Sequence, residues 1–413
     1  MIGWFMFFTK DKLLIIAGAG ASLDFGMLSS SQIEDMFEAK GPNKLIVNDH
    51  VESLYKYVKD ELLKYHQKGT SLGRPLPDKV ENVYFEEVVY QLLNLYATLS
   101  ENHKNGLGAF FYQCVFPEKS FGKKKKKLDY FDFYHEADDL VAKLLDEIRV
   151  RCTSLSLDRL SLLMQLLKML KKSFDISVVN LNYDNILFRS TPFEVETGFD
   201  KNGVFEPHRI INNKKWNFFY HLHGSVHFYY GQSEHTFEIR FADDFTRKDV
   251  VESNRSFRSF NETAEGFPVL SRPIIVGYGK AWQIQREPYL FYYNDLARRI
   301  DEADKILFIG YSFGDLHLNN LIKMSLTHKK KKKIVILDYT TQLDGFCSRW
   351  DLWTDAVSRT LNFYPSDFDF CCTRELTNLN PFERSRDKSV SISYKGFGFY
   401  LENPNFLVSE LRK

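Results

Sequence analysis

The stretch Lys12–Met27, KLLIIAGAGASLDFGM, constrains the fold of this chain more than any other. Its residues Leu13–Ala17 include no polar member, which is typical of a strand covered on both faces in a parallel sheet. Gly18 and Gly20 then break the apolar run, and glycine permits backbone conformations that other residues avoid. The stretch therefore predicts a buried strand that leads into a tight glycine turn and then into a helix.

The glycine turn also has a chemical meaning. Without side chains in the way, its backbone N–H groups can approach a phosphate, and a dinucleotide pyrophosphate is the expected ligand. A GxG pattern can equally serve chain geometry alone, so both interpretations stay open. A hydride-transfer Rossmann turn would have a third glycine where this chain has Leu23, and no GxxxxGK[ST] phosphate loop occurs. The sequence therefore disfavours a dehydrogenase and a P-loop ATPase.

Composition narrows the class of protein further. A chain of 413 residues exceeds the usual size of one domain, so we expect a main domain with a second lobe. A net charge of +1 with 26% charged residues favours neither nucleic acid nor an acidic membrane surface as a partner. No apolar run is long enough to span a membrane. The N-terminal MIGWFMFF is interpreted as mature protein because no small-residue cleavage site follows it.

The cysteines indicate a reducing compartment. They contain no CxxC pair, which argues against a structural zinc site and against a disulfide framework. We therefore expect a cytoplasmic protein without a bound metal. The five cysteines are Cys114, Cys152, Cys347, Cys371 and Cys372.

Two lysine runs, Lys123–Lys127 and Lys329–Lys333, are the most basic segments. Neither is interleaved with the aromatic or arginine side chains that nucleic-acid recognition uses. We interpret both as solvated loops, and nucleic-acid contact is the weaker alternative.

Hydrophobic periodicity predicts the order of helices and strands. Between Ser29 and Lys172, apolar residues recur at helical spacing in three stripes. The stripes are Val88, Leu92, Leu95, Tyr96 and Leu99; Leu140, Leu144, Leu145 and Ile148; and Leu160, Leu163, Met164, Leu167 and Leu170. Strand patterns follow at Ile176–Leu181, Trp216–Tyr230, Pro273–Gly277, Lys305–Gly310 and Ile334–Asp338. Segments 282–300 and 315–326 have the pattern of crossover helices.

These patterns predict an α/β fold with a Rossmann-like parallel sheet, helices on both of its faces, and a large helical insertion after the first strand. We expect residues 1–28 and 173–340 to form the sheet domain and residues 29–172 to form a helical lobe. Residues 341–413 are expected to form a C-terminal appendage with a hairpin around Gly396 and Gly398.

Short polar residues follow the predicted strands at their carboxyl ends, where open α/β sheets bind ligands. One strand runs into VVNLNYDN, in which Asn182 and Asp184 could hold a ribose hydroxyl, a carboxamide or a water. Another runs into FIGYSFGD, which contains Gly310, Ser312 and Asp315. Each pattern taken alone is also typical of an ordinary turn.

A third polar segment, FFYHLHGSVHF, contains His221, His223 and His227. The alternatives are a zinc site, a catalytic base and core histidines with satisfied hydrogen bonds. No cysteine or glutamate cluster completes a zinc site. His223 is best placed as a base, because histidine titrates near neutral pH and the Gly-Ser that follows leaves room for a substrate.

The ordered set GAGAS, NLNYD, HLHGS and GYSFGD resembles the sirtuin NAD-binding fold, in particular the sirtuin-like NADases of bacterial anti-phage defence systems. The resemblance spans about residues 13–340 and implies that the sheet domain binds NAD as a substrate. It implies that His223 is the catalytic base, that Asn182 acts with it, and that Asp184 helps Asn182 to bind the nicotinamide ribose and carboxamide. The other residues that the resemblance places at NAD are Gly18, Ala19, Gly20, Ser22, Gly310, Ser312 and Asp338.

The chain departs from deacylating sirtuins in two places. Residues 28–31, Leu-Ser-Ser-Ser, stand where those enzymes carry Pro-Asp-Phe-Arg, and both zinc-binding CxxC pairs are missing. We therefore expect a nicotinamide-releasing NAD+ hydrolase that acts in anti-phage defence by depleting NAD, as in abortive infection. A protein deacylase or ADP-ribosyltransferase and a non-catalytic nucleotide-sensing module are the alternatives. The resemblance also implies a homo-oligomer with a separately encoded HerA-type ATPase as partner.

Overall fold

The computed structural model describes residues 10–42, 44–47, 50–67, 83–99, 120–121, 126–127, 130–232, 237–253, 268–277, 280–326, 332–339, 352–368 and 381–413. In chain order the strands are β1 (Asp11–Ala17), β2 (Lys44–Val47), β3 (His50–Ser53), β4 (Ser120–Phe121), β5 (Lys126–Lys127), β6 (Phe174–Asn180), β7 (Phe219–His221), β8 (Phe228–Gln232), β9 (Phe237–Phe241), β10 (Lys305–Ile309), β11 (Lys333–Leu337), β12 (Glu383–Arg384) and β13 (Val390–Ser393). The α-helices are α1 (Ser30–Lys40), α2 (Leu54–Gln67), α3 (Phe85–Leu99), α4 (Tyr130–Thr153), α5 (Leu157–Ser173), α6 (Ile186–Ser190), α7 (Pro207–Ile211), α8 (Lys248–Ser253), α9 (Lys280–Gln283), α10 (Tyr289–Glu302), α11 (Leu316–Leu326), α12 (Leu352–Leu361), α13 (Gly396–Glu402) and α14 (Pro404–Arg412).

The chain divides into two units. The first comprises Met1–Met27, Arg151–Ser225 and Arg286–Lys413, and the second comprises Leu28–Val150 and Val226–Gln285.

Strand β1 is an interior strand of the sheet in the first unit. The sheet has seven strands in the order β12-β13-β11-β10-β1-β6-β7. All neighbours pair in parallel except β12, which runs antiparallel to β13. Residues Leu13–Ala17 of β1 are completely buried, as an unbroken apolar run in a parallel sheet requires. The predicted α/β, Rossmann-like parallel sheet is confirmed.

The strand order reverses beside β1. The chain goes from β1 to β6 and β7 on one side of it, whereas β10, β11 and β13 extend the sheet on the other side. The carboxyl ends of the paired strands β1 and β10 therefore form a topological switch point, where open α/β sheets bind their ligands. Gly18 follows β1 and Gly310 follows β10, so both glycine turns lie at this point.

Helix α5 shows how the first unit covers its sheet. It buries Leu160, Leu163, Leu167 and Leu170, which belong to one of the predicted apolar stripes. The helix packs against β6 and against the two C-terminal helices α13 and α14. This stripe is thus core, as its helical spacing predicts.

The end of the second lysine run is part of the packed structure. Lys333 begins β11, and its Nζ donates to the carboxylate of Glu410 in α14 at 3.1 Å. Lys332 Nζ donates to the carbonyl oxygens of Asp301 and Ala303 at 2.7 and 2.5 Å. The interpretation of these two lysines as a solvated loop is wrong, because both ammonium groups are held by acceptors from other elements.

The second unit contains the helical insertion. Helices α1, α2 and α3 and most of α4 belong to it, together with a four-stranded sheet, β3-β2-β4-β5, and the pair β8-β9. It also takes in Val226–Gln285, which lies far along the chain from the predicted insertion. The buried members of the predicted stripes are Val88, Leu92, Tyr96 and Leu99 in α3 and Leu140, Leu144, Leu145 and Ile148 in α4.

Two predicted strands differ from the structure. Pro273–Gly277 has no strand structure. Trp216–Tyr230 contains the whole of β7 and the start of β8, and the two strands are separated by a turn in which Gly224 has a φ of +104°. The apolar and aromatic composition of both segments reflects burial, which is not by itself a strand signal.

The predicted C-terminal hairpin is also wrong. Strand β13 is followed by helix α13 instead of a second strand. Gly396, with a φ of +74°, turns the chain from the strand into the helix, and Gly398 lies inside the helix. Glycine supports several kinds of turn, so the pattern did not specify a hairpin.

Several features of the sequence fall outside the described residues. They are residues 1–9 with the MIGWFMFF segment, the lysines at 123–125 and 329–331, and four of the cysteines. Cys152 is buried, and Lys126–Lys127 forms β5. The three-part division into 1–28 with 173–340, 29–172, and 341–413 stays a prediction. No helix within the described ranges is long and apolar enough to cross a membrane.

Candidate functional site

The two glycine turns at the switch point pack backbone against backbone. The Gly20 N–H donates to the Gly310 carbonyl oxygen at 3.0 Å, and the Gly18 N–H donates to the Ile309 carbonyl oxygen at 3.0 Å. A Cβ on Gly20 would lie 2.7 Å from the Gly310 Cα, and a Cβ on Gly310 would lie 2.3 Å from the Ala21 nitrogen. Gly310 also has a φ of +57°, which favours glycine. Close approach of the two turns therefore requires these glycines.

The N–H groups of the first turn are largely used within the protein. The Ala21 N–H donates to the Gly18 carbonyl oxygen at 2.9 Å, and the Ser22 N–H donates to the Ala19 carbonyl oxygen at 3.0 Å. Ala19 is exposed at the tip of the turn. In this conformation Ala19 is the turn residue most open to a ligand, and the phosphate cradle formed with Gly20 stays a prediction.

Asn182 ties the end of β6 to the glycine turn. Its Nδ2 donates to the Gly18 carbonyl oxygen at 2.8 Å and to the Ser22 hydroxyl at 2.9 Å. Asn180, the last residue of β6, in turn hydrogen-bonds the backbone N–H and carbonyl of Asn182. Because both amide hydrogens are used, the side-chain oxygen is the group through which Asn182 can bind a ribose hydroxyl or a water.

Asp184 is a buried carboxyl beside the same turn. Burial raises the pKa of Asp184, and the Ser22 hydroxyl and the Ile186 backbone N–H oppose that effect. Its Oδ1 accepts the Ile186 N–H at 3.0 Å, at the start of α6. A buried carboxyl with a raised pKa is a frequent feature of functional sites. The predicted contact of Asp184 with the ribose and carboxamide stays a prediction.

The three histidines lie in different surroundings. His221 is the completely buried last residue of β7, with its ring against Phe219. His227 belongs to the second unit, where its ring stacks on Phe241 and burial lowers its pKa. His223 lies in the turn that follows β7. His223 therefore lies at the carboxyl end of a strand of the central sheet, two residues after that strand ends.

His223 is paired with Asp315. The His223 Nε2 and the Asp315 Oδ2 are 2.8 Å apart, and each residue is 7% exposed. The other oxygen of this carboxylate, Oδ1, accepts the backbone N–H groups of His317 and Leu318 at 3.0 and 3.1 Å. Asp315 therefore caps the N-terminus of α11 and contacts the imidazole with the same carboxylate.

The loop from β10 to α11 is fixed by buried aromatic side chains. Tyr311 and Phe313 are buried, and Phe313 has a φ of +56°, which is rare for a bulky residue. Asn319 of α11 holds both, because its Oδ1 accepts the Tyr311 hydroxyl at 2.6 Å and its Nδ2 donates to the Phe313 carbonyl oxygen at 2.6 Å. Ser312 and Gly314 are exposed, so the loop presents two small residues to a ligand.

Asp338 follows β11 at the same end of the sheet. Its backbone N–H donates to the Ser393 carbonyl oxygen at 2.8 Å, and its carbonyl oxygen accepts the Gly396 N–H at 2.9 Å. Further along α13, the Gly398 N–H donates to the Asp24 carboxylate at 2.6 Å. The C-terminal segment therefore packs against both the end of β11 and the chain just after the glycine turn.

The structure thus brings the predicted site residues to the carboxyl ends of adjacent strands. It gives a partner to Asp315, which the sequence placed in this segment without a role, because its carboxylate contacts His223. It also adds Asn319, which the sequence did not single out, as the support of the loop. An aspartate just before a helix is a capping signal. No local pattern indicated its imidazole partner, which lies 92 residues away in the chain.

Metal ligation was weighed as an alternative for the histidines. Within the part of the chain that the structure describes, no group of three or more His, Cys, Asp or Glu side chains is arranged to hold a metal ion. The expectation of a metal-free site stays a prediction.

Residues 176–349 match the family model of the SIR2-like domain. The match supports the interpretation that the matched segment is a sirtuin-like domain. It covers less than half of the chain, beginning in β6 and including Asn182, His223 and Asp315. The glycine turn after β1 precedes the matched residues. No curated protein matches the chain. SIR2-like domains bind NAD, and such a domain fits a sirtuin-like, NAD-dependent enzyme.

Proposed function

We propose that this protein is an NAD+ glycohydrolase, which cleaves the bond between nicotinamide and ribose and releases nicotinamide and ADP-ribose. The observation that carries the proposal is the position of His223 and Asn182 after the adjacent strands β7 and β6, beside the switch point. Both residues lie within the SIR2-like match.

The residue types at this end of the sheet are suited to binding NAD. Exposed small residues, Ala19 and Ser312, border the switch point and leave room for the pyrophosphate. The side-chain oxygen of Asn182 can accept a ribose hydroxyl. Asp338 directly follows β11. An acidic side chain at the carboxyl end of a parallel strand is suited to binding the adenosine hydroxyls.

Hydrolysis of NAD+ requires three things of the protein. Nicotinamide carries a positive charge in NAD+ and leaves as a neutral molecule, so the site must hold the ribose, stabilise an oxocarbenium-like transition state and direct a water. We assign ribose positioning to Asn182 and proton acceptance to His223. A positioned base contributes about 10²- to 10⁴-fold, and orientation of the reactants supplies much of the remainder.

The segment after the glycine turn supports hydrolysis over deacylation. Where deacylating sirtuins carry Pro-Asp-Phe-Arg, this chain begins helix α1. The Ser29 hydroxyl accepts the Gln32 N–H at 3.3 Å, and the Gln32 side chain accepts the Ser29 N–H at 3.0 Å. This reciprocal pair is a capping box, so the segment that differs from the deacylating sirtuins stabilises the N-terminus of α1.

Incubation of the purified protein with NAD+, followed by chromatography of the products, tests the proposal. A hydrolase releases nicotinamide and free ADP-ribose in equal amounts. A deacylase releases nicotinamide only with an acylated peptide, and an ADP-ribosyltransferase leaves the ADP-ribose on protein. Binding of NAD+ without product would favour the nucleotide-sensing module and contradict the proposal.

We also propose, on the resemblance alone, that hydrolysis serves anti-phage defence and that a homo-oligomer is controlled by a HerA-type ATPase. Control by a partner requires that the partner bind the active state more tightly than the inactive one. Light scattering after size exclusion gives the oligomer, and NAD+ turnover with and without the ATPase tests control. A monomer with full unaided turnover that is harmless to its host would contradict this proposal.

A further inference from the structure

The contact between His223 and Asp315 joins two separate loops. His223 follows β7, where the neighbouring Leu222 N–H donates to the Asn180 carbonyl oxygen at 2.9 Å. Asp315 precedes α11, and its Oδ2 lies 2.8 Å from the imidazole Nε2. Both side chains are more than nine-tenths buried. A hydrogen bond between a buried imidazole and a carboxylate fixes the ring orientation, and it also decides which ring nitrogen carries the proton.

The carboxylate cannot rotate away from this arrangement without breaking the cap of α11. Its Oδ1 accepts the backbone N–H groups of His317 and Leu318. The preceding loop is held in turn by Asn319, which bonds the Tyr311 hydroxyl and the Phe313 carbonyl oxygen. Oδ2 therefore has one orientation, toward His223.

We propose that Asp315 is a positioning residue that holds His223 in the tautomer with its proton on Nε2, so that Nδ1 is the nitrogen that accepts the proton in catalysis. A carboxylate only accepts hydrogen bonds, so the Nε2 facing it must carry the hydrogen. The lone pair of the neutral ring then resides on Nδ1. The catalytic part of this inference rests on the proposed NAD+ hydrolysis, whereas the tautomer does not.

Substitution of Asp315 by Asn separates the two functions of the carboxylate. Asparagine is as good a helix cap as aspartate, and the N–H groups of His317 and Leu318 will hold its side-chain oxygen in the place of Oδ1. The amide nitrogen then faces His223 and donates to Nε2. The imidazole must move its proton to Nδ1, which can no longer accept one.

Substitution of Asp315 by Ala should affect stability more than substitution by Asn does, and the His223 tautomer less. Asp315→Ala removes the cap and lowers stability, but it imposes neither tautomer on His223. We therefore expect the two variants to rank differently in two measurements. Thermal stability should follow wild type, then Asp315→Asn, then Asp315→Ala, whereas kcat should be lowest for Asp315→Asn, by about 10²- to 10⁴-fold with KM little changed.

Loss of a helix cap elsewhere provides the matched control. Ser29→Ala removes the capping hydroxyl of α1, which bonds the Ser31 hydroxyl and the Gln32 backbone N–H. This variant should lower the melting temperature and leave kcat unchanged. If kcat across the Asp315 variants follows their melting temperatures, the role of Asp315 is structural and the proposal is overturned.

The tautomer can be measured directly. Nitrogen-15 NMR of histidine-labelled protein, with His223→Gln to assign the ring signals, should show the proton on Nε2 in the wild type and on Nδ1 in Asp315→Asn. A wild-type proton on Nδ1, or no difference between the two proteins, overturns the inference. This measurement needs no turnover, so a protein that fails to hydrolyse NAD+ would contradict the proposed function while leaving the tautomer test intact.

Discussion

The backbone N–H of Gly20 donates to the carbonyl oxygen of Gly310 at 3.0 Å, and this bond joins the turns after β1 and β10 directly across the switch point. The two turns come from segments that are far apart in the chain, yet neither has space for a side chain where they meet. A ligand at the switch point therefore lies on a surface whose shape depends on this contact.

Gly310→Ala is expected to destabilise the protein strongly. The new Cβ would lie 2.3 Å from the Ala21 nitrogen, and the backbone has a φ of +57°. Overpacking together with a left-handed backbone should lower the free energy of unfolding by about 2–5 kcal/mol. Urea unfolding measures this change.

Gly314→Ala, four residues along the same loop, is the control, because the one described atom near its new Cβ would be the Ser312 hydroxyl oxygen at 3.4 Å. It should shift stability by less than about 1 kcal/mol. Similar losses for the two variants would contradict the importance of the close approach.

His223→Ala is expected to abolish NAD+ cleavage with the circular dichroism spectrum unchanged, since it removes the proposed base from a turn. His208→Ala, which alters an exposed histidine, should keep full turnover. If His223→Ala retains near-normal turnover, the assignment of the base is wrong and His221 becomes the next candidate.

Asn182→Ala is expected to affect both activity and stability. The amide donates to the Gly18 carbonyl oxygen and the Ser22 hydroxyl in a buried position, so its loss removes one hydrogen bond from each of these two groups. The free energy of unfolding should fall by about 1–3 kcal/mol, together with loss of NAD+ cleavage. A fully active variant would remove Asn182 from the proposed mechanism.

Asp184→Asn is expected to change how stability depends on pH. Burial raises the pKa of Asp184 in the folded state, so the folded protein binds this proton more tightly than the unfolded chain does. Stability from this group is present below the unfolded pKa, which is about 4, and it falls as pH rises through the folded pKa.

The asparagine variant lacks this slope and still accepts the Ile186 N–H. It should gain stability relative to the wild type as pH increases from 4 to 7. Denaturant unfolding at both pH values measures the difference. A constant difference between the two proteins across this range would mean that the Asp184 carboxyl ionises as readily in the folded state as in the unfolded chain.

Treatment with a strong zinc chelator is expected to leave NAD+ hydrolysis unchanged, because the sequence has no CxxC pair. Elemental analysis of the purified protein accompanies the assay. Stoichiometric zinc together with loss of activity on chelation would restore a role for the histidines as ligands.

Local pattern predicted much of the fold. The apolar run Leu13–Ala17 predicted a buried strand, and the stripe in α5 predicted a buried helix face. Both predictions succeed because burial on two faces, or on one helical face, leaves a periodic trace in the sequence itself. The hairpin around Gly396 failed for the opposite reason, since glycine allows several turn geometries and the choice depends on what packs nearby.

The sequence by itself determined the strand with its glycine turn and the polar residues that follow the strands, including Asn182 and His223. Only the tertiary structure decided that Gly20 must pack on Gly310, and that Asp315 faces His223 across 92 residues of chain. Helical and strand periodicities connect residues within a few positions of one another. The partner of a buried imidazole is chosen by how strands and loops are assembled in space, and no local spacing records that choice.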